Sequence, residues 1–579
     1  MCSRIQTEMN WNRVAHDSLI TIKNNYNPMK KFNILLISVL ALVLFNAGCK
    51  KLDRLPETSF TDDQFWNTEN DLINAANRMY EQLIGYSIDN RGDDNVNQSG
   101  LNAISNGNRG VSGTSDDWKV PYQQIYTANN ILEKAGKAQV TDAVRNRYFA
   151  EARFFRAYAY AALVQKYGDV PLLLKTLTIE SPELNMPRTE RAKVVQAIYD
   201  DLDYAALWLP TRAALPAAQY GRVTKSAAWA LKARVALDEG TRGKFFNTPN
   251  YQQNLQLAVQ AATLVMGQGH SLFANYQGMF THDGEGPGNT ENVFVKLYGL
   301  TAALGLTHNT SRDLENGRIA PTRNLIRMFL YKDGLPAYNT DNTLSATKSA
   351  FFVNETDEVS YNTVLDNRDP RITTLVYRSG EQSYQRAWVP GTSLGTRSAF
   401  AGKKGFNAAD WAINGNANVH KPLIRYAEVL LIYAEAKYEI DGAISDADLN
   451  LTVNALRTRA GLTVKLTNAF VIANNLNMRE EIRRERTVEL ALEGFRYTDL
   501  MRWKTAETVL SKTLLGAKYN VTEWVGTTAA SLNLNADKIL VVEDASKRTF
   551  DPARDYLYPV PLQEISLSGN NVVQNPGWN

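Results

Sequence analysis

The sequence predicts a mainly α-helical protein, in which pairs of amphipathic helices form a scaffold around a long irregular segment that is partly β. Apolar residues recur at helical spacing in both halves of the chain, most clearly over 151–167, where Ala152, Phe155 and Ala159 share one face. From about 269 to 421 this periodicity is lost, and Gly, Asn, Asp and Thr are frequent. Loops of this length in compact proteins are usually functional or disordered, so we expect the irregular segment to carry function.

The first part of the helical scaffold is predicted over residues 60–268. The capping box Thr61-x-x-Gln64 indicates the start of a helix that runs to about Ile84. Residues 85–115 are rich in Gly, Asn, Asp and Ser, which predicts a long loop. The later helices of this part are expected at 120–135, 151–167, 190–208, 223–239 and 251–267.

The irregular insert, about 269–421, contains two short pieces of β character, Asn292–Tyr298 and Ile372–Tyr377. A second scaffold part follows over 422–510, and the tail 550–579 is proline-rich, which is typical of an extended segment. The helices of the second part are expected at 423–441, 446–460 and 479–504.

Residues 29–48 have the pattern of a bacterial lipoprotein signal. A short basic start precedes the apolar run 32–45, which is shorter than the about 20 residues that a membrane-spanning helix needs and is typical of a secretory signal. Small residues then lead to Cys49, which we expect to carry the lipid and to begin a mature, single-domain chain, 49–579. Residues 1–28 do not fit this signal, and we expect them to lie upstream of the true start; the alternative is a long leader.

Composition excludes several classes of function. The formal net charge is +3, and no basic footprint for nucleic acid is visible. Cys49 is the only cysteine after residue 28, so the mature chain has no internal disulfide and no thiolate metal site. His270, His282 and His308 could converge in the insert, but scattered surface histidines are the simpler interpretation. We therefore predict no metal and no cofactor.

Two patterns that could indicate catalysis have simpler structural interpretations. Glu485, Glu489 and Glu493 recur every fourth residue and could meet the carboxylate spacing of a glycosidase. Arg486 and Arg496 lie within helical reach of them, so local ion pairing is favoured. The motif Gly-Thr-Ser-Leu-Gly at 391–395 matches a nucleophile elbow but lacks the preceding strand and following helix. We predict no catalytic residue.

Five blocks, in order, resemble the SusD/RagB family of bacterial nutrient-binding lipoproteins. The block at 482–503, which contains IRRERTVELALEGFR and ends in DLMRW, is the most specific of them. The other blocks are EARFFRA to KYGDVPL (151–172), IRYAEVLLIYAEA (424–436), NALRTRAG (454–461), and YPVP (558–561) with QNPGW (574–578).

The resemblance implies a fold and a role. Proteins of this family have a tetratricopeptide-like superhelix of helix pairs, with the ligand face on irregular segments. They are lipid-anchored at the outer membrane, facing the cell exterior, and cap a SusC-like TonB-dependent transporter. They deliver a glycan or oligosaccharide to it, or in some cases a peptide, and are not enzymes.

We expect the ligand to contact aromatic and polar residues on the first loop and on the insert. A sugar site needs aromatic faces together with a few hydrogen-bonding side chains. Three other functions stay open: a surface lipoprotein glycoside hydrolase, a RagB-like peptide-uptake protein, and a purely structural scaffold. The candidate ligand-binding residues are Tyr86, Asp93, Asn95, Trp118, Tyr276, Tyr338, Trp388 and Trp411.

Overall fold

The computed structural model describes residues 65–579, apart from positions 88, 99, 101, 300–305, 385, 392–395 and 579. The lipoprotein signal at 29–48, the upstream residues 1–28, the lipidation site Cys49 and the capping box at Thr61 lie outside the described residues, as does most of the serine motif at 391–395. From Trp66 onward the described residues form one compact unit.

The first scaffold part consists of long helices with clear capping signals. A capping box starts the first of them, because Thr68 and Asp71 each accept a hydrogen bond from the other's backbone N–H. Thr141 and Thr224 cap later helices in a similar way. The bounds are α1 Glu69–Glu81, α2 Asp116–Lys134, α3 Asp142–Tyr167, α4 Arg191–Trp208, α5 Lys225–Phe246 and α6 Tyr251–Met266.

Consecutive helices of this part pack against one another, as α2 with α3, α3 with α4, and α5 with α6. Small residues allow the close approach. A Cβ atom on Gly240 of α5 would lie 2.8 Å from the side chain of Leu255 on α6, so only glycine fits at this crossing. The predicted helix-pair scaffold is confirmed.

Short elements make up the insert and the segments beside it. Their bounds are β1 Asn95–Val96, β2 Asn292–Lys296, α7 Thr310–Glu315, β3 Ala320–Pro321, α8 Arg323–Ile326, α9 Ile372–Leu375, β4 Gln382–Ser383, β5 Arg386–Ala387, α10 Ala408–Ala412 and β6 Lys421–Arg425. Strands β2 and β6 pair antiparallel, with Asn292 opposite Arg425. They connect the beginning of the insert to its end, beside the helical scaffold.

The predicted β piece at 292–298 is confirmed by β2, whereas the one at 372–377 is wrong. Ile372–Leu375 is a single helical turn, α9. The carboxylate of Asp369 accepts a hydrogen bond from the N–H of Arg371, and its carbonyl accepts one from Ile372. This turn bends the chain before a strand can form.

The second scaffold part is more broken than predicted. Its elements are α11 Tyr426–Asp441, α12 Asp446–Leu451, α13 Val453–Ala460, α14 Asn468–Ala473, α15 Met478–Glu489, α16 Arg496–Arg502, α17 Ala506–Val509, β7 Leu514–Lys518 and β8 Ile539–Glu543. The expected single helix at 479–504 is divided, because Leu492 and Gly494 take φ angles of 62° and 88°, in the left-handed region. This turn faces a cavity.

The C-terminal tail packs against the end of α3. Tyr558 donates its N–H to the carbonyl of Lys166, and the side-chain amide of Asn575 donates to the carbonyl of Tyr167. One short helix, α18 Leu562–Leu567, interrupts the otherwise extended chain.

Candidate ligand-binding cavity

A cavity of about 570 Å³ lies where the helical scaffold meets the irregular segments. Helices α3, α5 and α11 form one side of it, and β6, the turn 492–495 and the loop after α1 form the other. Its volume falls within the roughly 300–1,000 Å³ of small-molecule sites. The lining combines the aromatic rings of Tyr86, Tyr158, Phe280 and Phe495 with amides, hydroxyls and charged groups.

Tyr86 is held in place at the cavity wall by contacts on several sides. Its hydroxyl donates to the carbonyl of His420 at 3.0 Å, and its backbone N–H donates to the hydroxyl of Tyr298 at 3.0 Å. Its ring centroid lies 4.3 Å from that of His308. Burial raises the pKa of the Tyr86 hydroxyl, which therefore stays protonated. The ring is a rigid aromatic surface that loses little freedom when a ligand binds.

The loop that carries Tyr86 is held by an ion pair within it, and it is fixed to the core by a cation–π contact and a second ion pair. Arg91 binds Asp89 through two hydrogen bonds of 2.8 and 2.7 Å, and its guanidinium lies over the ring of Tyr497. Arg496 of α16 binds Asp93, with Nε 2.7 Å from Oδ1. These contacts position the loop and also supply polar groups to the cavity, since both Asp89 and Arg91 line it.

Basic residues line much of the cavity, and almost all of them have acidic partners. Of the cations that line the cavity, Lys421 alone forms no ion pair with a described residue. The paired cations are Arg91, Lys166, Arg234, Lys404, Arg425, Arg486 and Arg502.

The three glutamates at every fourth position have structural partners, but not the predicted ones. Glu485 binds Arg371 and Arg457, which come from distant parts of the chain. Arg486 and Arg496 bind aspartates instead, Asp499 and Asp93. The local pairing was therefore wrong, because buried long-range partners outcompete neighbours on the same helix.

The electrostatics of Glu489 and Glu493 do not suit general acid catalysis. Burial by itself would raise the pKa of Glu489, but nearby guanidinium groups, with Arg459 the strongest, hold it well below its usual range. For Glu493, Arg425 and Lys404 likewise outweigh burial and lower the pKa. A glycosidase acid needs the opposite shift.

Tyr86 is the one predicted ligand residue that lines the cavity. The other predicted residues of the first loop lie elsewhere. Asp93 and Asn95 are both buried. Asp93 binds Arg496, and the side-chain amide of Asn95 donates to the carbonyl of Asp89 at 2.7 Å. Trp118 is buried between Tyr122 and Tyr167, beside a separate groove.

Among the predicted residues of the insert, only Trp411 is partly exposed. Arg312 covers one face of its ring at 3.8 Å, and its indole N–H donates to Glu315. Tyr276, Tyr338 and Trp388 are buried, and Trp388 is 0 % exposed in the core. Protein atoms cover these three side chains, as they cover Asp93 and Asn95, so none of the five enters the site proposed below.

His282, His308 and His420 converge near Tyr86, whereas the sequence analysis considered convergence only for His270, His282 and His308 and did not favour it. His282 lies between Glu285 and Asp410, with N–O distances of 3.0 and 2.9 Å, and its pKa is raised because these two contacts outweigh burial. Burial lowers the pKa of His308 and of His420. The network ties the end of the insert to the wall of the cavity, so the expectation of scattered surface histidines was wrong for His282 and His308.

Over the described residues, no group of three or more His, Cys, Asp or Glu side chains is arranged to hold a metal ion. In the same part of the chain, every helix is too short or too polar to cross a bilayer. The lining of the cavity includes rigid aromatic rings and fixed hydrogen-bonding groups.

Comparison with known proteins identifies the family. A family model described as "SusD family" matches residues 282–578, just over half of the chain. The chain belongs to the SusD family. A second model, described as "Starch-binding associating with outer membrane", matches residues 58–237. Together the two matches cover most of the part of the chain that the five sequence blocks span.

Relatives of the SusD family align over nearly the whole chain. SusD-like protein P2 of Formosa agariphila is 27% identical over 586 residues, which covers 95% of this chain and 100% of the relative. The crystal structure of a SusD-like carbohydrate binding protein from Bacteroides fragilis is 27% identical, with a TM-score of 0.72 over 87% of this chain and 99% of that one.

A more distant SusD-fold structure contains a bound sugar. Surface glycan-binding protein A of Bacteroides thetaiotaomicron, in complex with laminarihexaose, is 17% identical, with a TM-score of 0.57 over 88% of this chain and 100% of that one. At this identity the likeness shows the fold alone, and it agrees with the helix-pair scaffold described above.

Proposed function

We propose that this protein binds an oligosaccharide in the cavity at Tyr86 and delivers it to a SusC-like TonB-dependent transporter in the outer membrane. The observation that carries the binding step is the fixed ring of Tyr86, which faces a cavity of about 570 Å³ together with polar side chains. Sugars present an apolar ring face and an edge of hydroxyls, which such a lining matches.

Several relatives support a glycan as the ligand. The B. fragilis protein carries the description "carbohydrate binding", and the B. thetaiotaomicron protein binds laminarihexaose. A different structural neighbour is described as laminarin binding. Trp411, partly exposed on the insert, is a candidate for a second, outer sugar contact.

Binding without turnover is the favoured activity. The carboxylates that could have formed a glycosidase pair, Glu489 and Glu493, bind buried cations, and their pKa values are lowered against the effect of burial. A surface hydrolase would lose turnover when these groups are neutralised, whereas a binding protein has none to lose.

The sequence and the family support a membrane anchor. Lipid on Cys49 would supply roughly 0.8 kcal/mol of membrane affinity per buried methylene. The match to a model described as associating with the outer membrane supports that location. A tether of this kind would keep the protein next to its transporter, facing the cell exterior.

One screen tests the binding step. The purified protein would be titrated calorimetrically with plant, microbial and host oligosaccharides, and with peptides. We expect saturable binding of at least one saccharide without release of product. Binding of peptides alone would favour a RagB-like peptide-uptake role, and no binding at all would favour a structural scaffold.

A second experiment tests the transporter. Affinity capture of the lipidated protein from solubilised outer membranes of the native organism should retain a TonB-dependent transporter in stoichiometric amount. The same capture is carried out with the unlipidated Cys49→Ala variant. If the transporter is retained with the native protein but lost with this variant, the pairing depends on the shared membrane. Absence of the transporter from both samples would contradict the delivery step.

A further inference from the structure

Lys421 differs from the other cations of the cavity because it has no acidic partner among the described residues. It is the first residue of β6, and its ammonium donates to the carbonyl of Gly85 at 2.7 Å. A lysine ammonium has three N–H donors, so two stay available toward the cavity. The remaining lining cations, by contrast, are neutralised by carboxylates in place.

The surroundings of Lys421 disfavour its positive charge. Burial, and after it the charge of Lys296, lower the pKa of Lys421 to about 8, although Glu493 and Asp89 act in the opposite direction. Lys296 is itself engaged with backbone carbonyls, donating to that of Glu81 at 3.1 Å. A partly desolvated cation that forms no ion pair is costly, and an anion that reaches it gains a strong, charge-assisted hydrogen bond.

Lys421 also lies close to the aromatic surface. Its Nζ is 5.9 Å from the ring centroid of Tyr86. A pyranose ring packed on Tyr86 would place an acidic group on its edge within reach of this ammonium. The neutral hydroxyls of the same sugar would be left for the amides and hydroxyls of the wall.

We propose that Lys421 makes this cavity selective for acidic oligosaccharides, whose carboxylate or sulfate group it binds while the sugar ring packs on Tyr86. The inference rests on the proposed function, since it assigns a ligand class to the same site. The chemistry shared by uronates and sugar sulfates is a fixed negative charge beside the ring, and the test separates the two.

The test compares matched pairs of ligands in calorimetric titrations of the whole protein. One pair is tetragalacturonate and its methyl ester, and the other is a sulfated carrageenan tetrasaccharide and its desulfated form. A panel of neutral oligosaccharides, including laminarihexaose, is titrated alongside. We expect at least one acid to bind ten-fold or more tightly than its neutral counterpart.

Variants at Lys421 identify the group responsible. Lys421→Met should abolish the preference for the acid, and Lys421→Arg should retain it. Lys175→Met is the charge-matched control, because Lys175 pairs with Glu183 on the surface and its loss should leave the preference unchanged. Circular dichroism melting of each variant verifies that the fold is retained.

Three results would overturn the proposal. Equal affinity for acids and their neutral counterparts, or binding of neutral sugars alone, would show that the site is not selective for charge, while the proposed glycan-binding function would stand. Equal weakening of acid and neutral ligands by Lys421→Met would show that this lysine only holds the Gly85 loop. Failure of every saccharide in the panel would instead contradict the proposed function itself.

Discussion

Arg425 and Glu489 face each other in the buried core, with Nη1 of the guanidinium 2.6 Å from Oε1 of the carboxylate. Arg371 and Arg459 bind the same carboxylate. Glu489 is 0 % exposed, so water cannot replace any of these partners. Because Arg425 also lines the cavity and binds Glu493, the charged core supports the wall of the candidate site directly.

Neutralising Glu489 should destabilise the protein strongly. Glu489→Gln removes one countercharge that three buried guanidinium groups share, and breaking a buried ion pair costs roughly 3–5 kcal/mol. We expect the free energy of unfolding, measured with urea, to fall by about that amount. Glu190→Gln, which removes a surface pair with Lys193, should change it by less than about 1 kcal/mol. A small effect at Glu489 would contradict the inferred role of this network.

Stability should also fall in acid because of Glu435. Burial by itself would raise the pKa of Glu435, but Arg502, 2.5 Å away, lowers it to about 2. A carboxyl whose folded pKa is depressed contributes stability that is complete above its ordinary pKa, 4.5 for this glutamate, and is lost as the pH falls toward 2. The contribution is on the order of 3 kcal/mol.

Urea unfolding at pH 5, 4, 3 and 2.5 measures this contribution. The Glu435→Gln variant should be less stable at pH 5 and should lose less stability on acidification than the native protein. The Glu190→Gln variant should follow the native curve. Parallel curves for the native protein and Glu435→Gln would show that this pair does not set the acid sensitivity.

Much of the fold could be predicted because its signals are local. Helical periodicity located the scaffold helices, and loss of periodicity located the insert. The first helix was predicted to start at the capping box of Thr61, but residues 65–68 are not helical and the helix begins at Glu69, capped by Thr68. The break at Gly494 was missed because the helical pattern continues on both sides of it. The partners of Glu485 were missed for a different reason: Arg371 and Arg457 are brought to it by tertiary packing, which spacing along one helix cannot show.

The site was harder to predict than the fold. An aromatic residue in a polar loop led to Tyr86, but the same reasoning selected Trp388, whose large apolar surface is buried in the core. Lys421 was missed because its unusual property is the absence of an acidic partner, and ion-pair partners depend on tertiary packing. The convergence of His282, His308 and His420 likewise depends on the pairing of distant segments.

Removing the ring of Tyr86 should weaken ligand binding. Tyr86→Ala deletes the aromatic surface and should reduce the affinity for the best saccharide of the screen ten-fold or more, since aromatic packing contributes about 1 kcal/mol beyond burial alone. Tyr86→Phe keeps the ring and loses only the hydrogen bond to His420, so it should bind nearly as the native protein does. Calorimetric titration measures both.

The control for this prediction is Tyr126, which is 55% exposed on α2 and lies outside the cavity. Tyr126→Ala should leave the affinity unchanged. If Tyr86→Ala bound the saccharide as well as the native protein, the ligand site would have to lie elsewhere, with the surface around Trp411 as the next candidate.

The affinity for an acidic ligand should depend on pH through Lys421. The pKa of this lysine in the free protein is lowered to about 8 by burial and by Lys296, with Glu493 and Asp89 partly compensating. An anion binds the protonated form, so affinity should be constant below pH 7 and fall as the pH rises through 8. Lys421→Arg should extend the plateau to higher pH, since a guanidinium stays charged there. Titration of tetragalacturonate and of its methyl ester from pH 6 to 9.5 measures this dependence, because only the affinity for the acid should change with pH. An equal fall in affinity for the ester would show that the pH dependence comes from the protein's own stability.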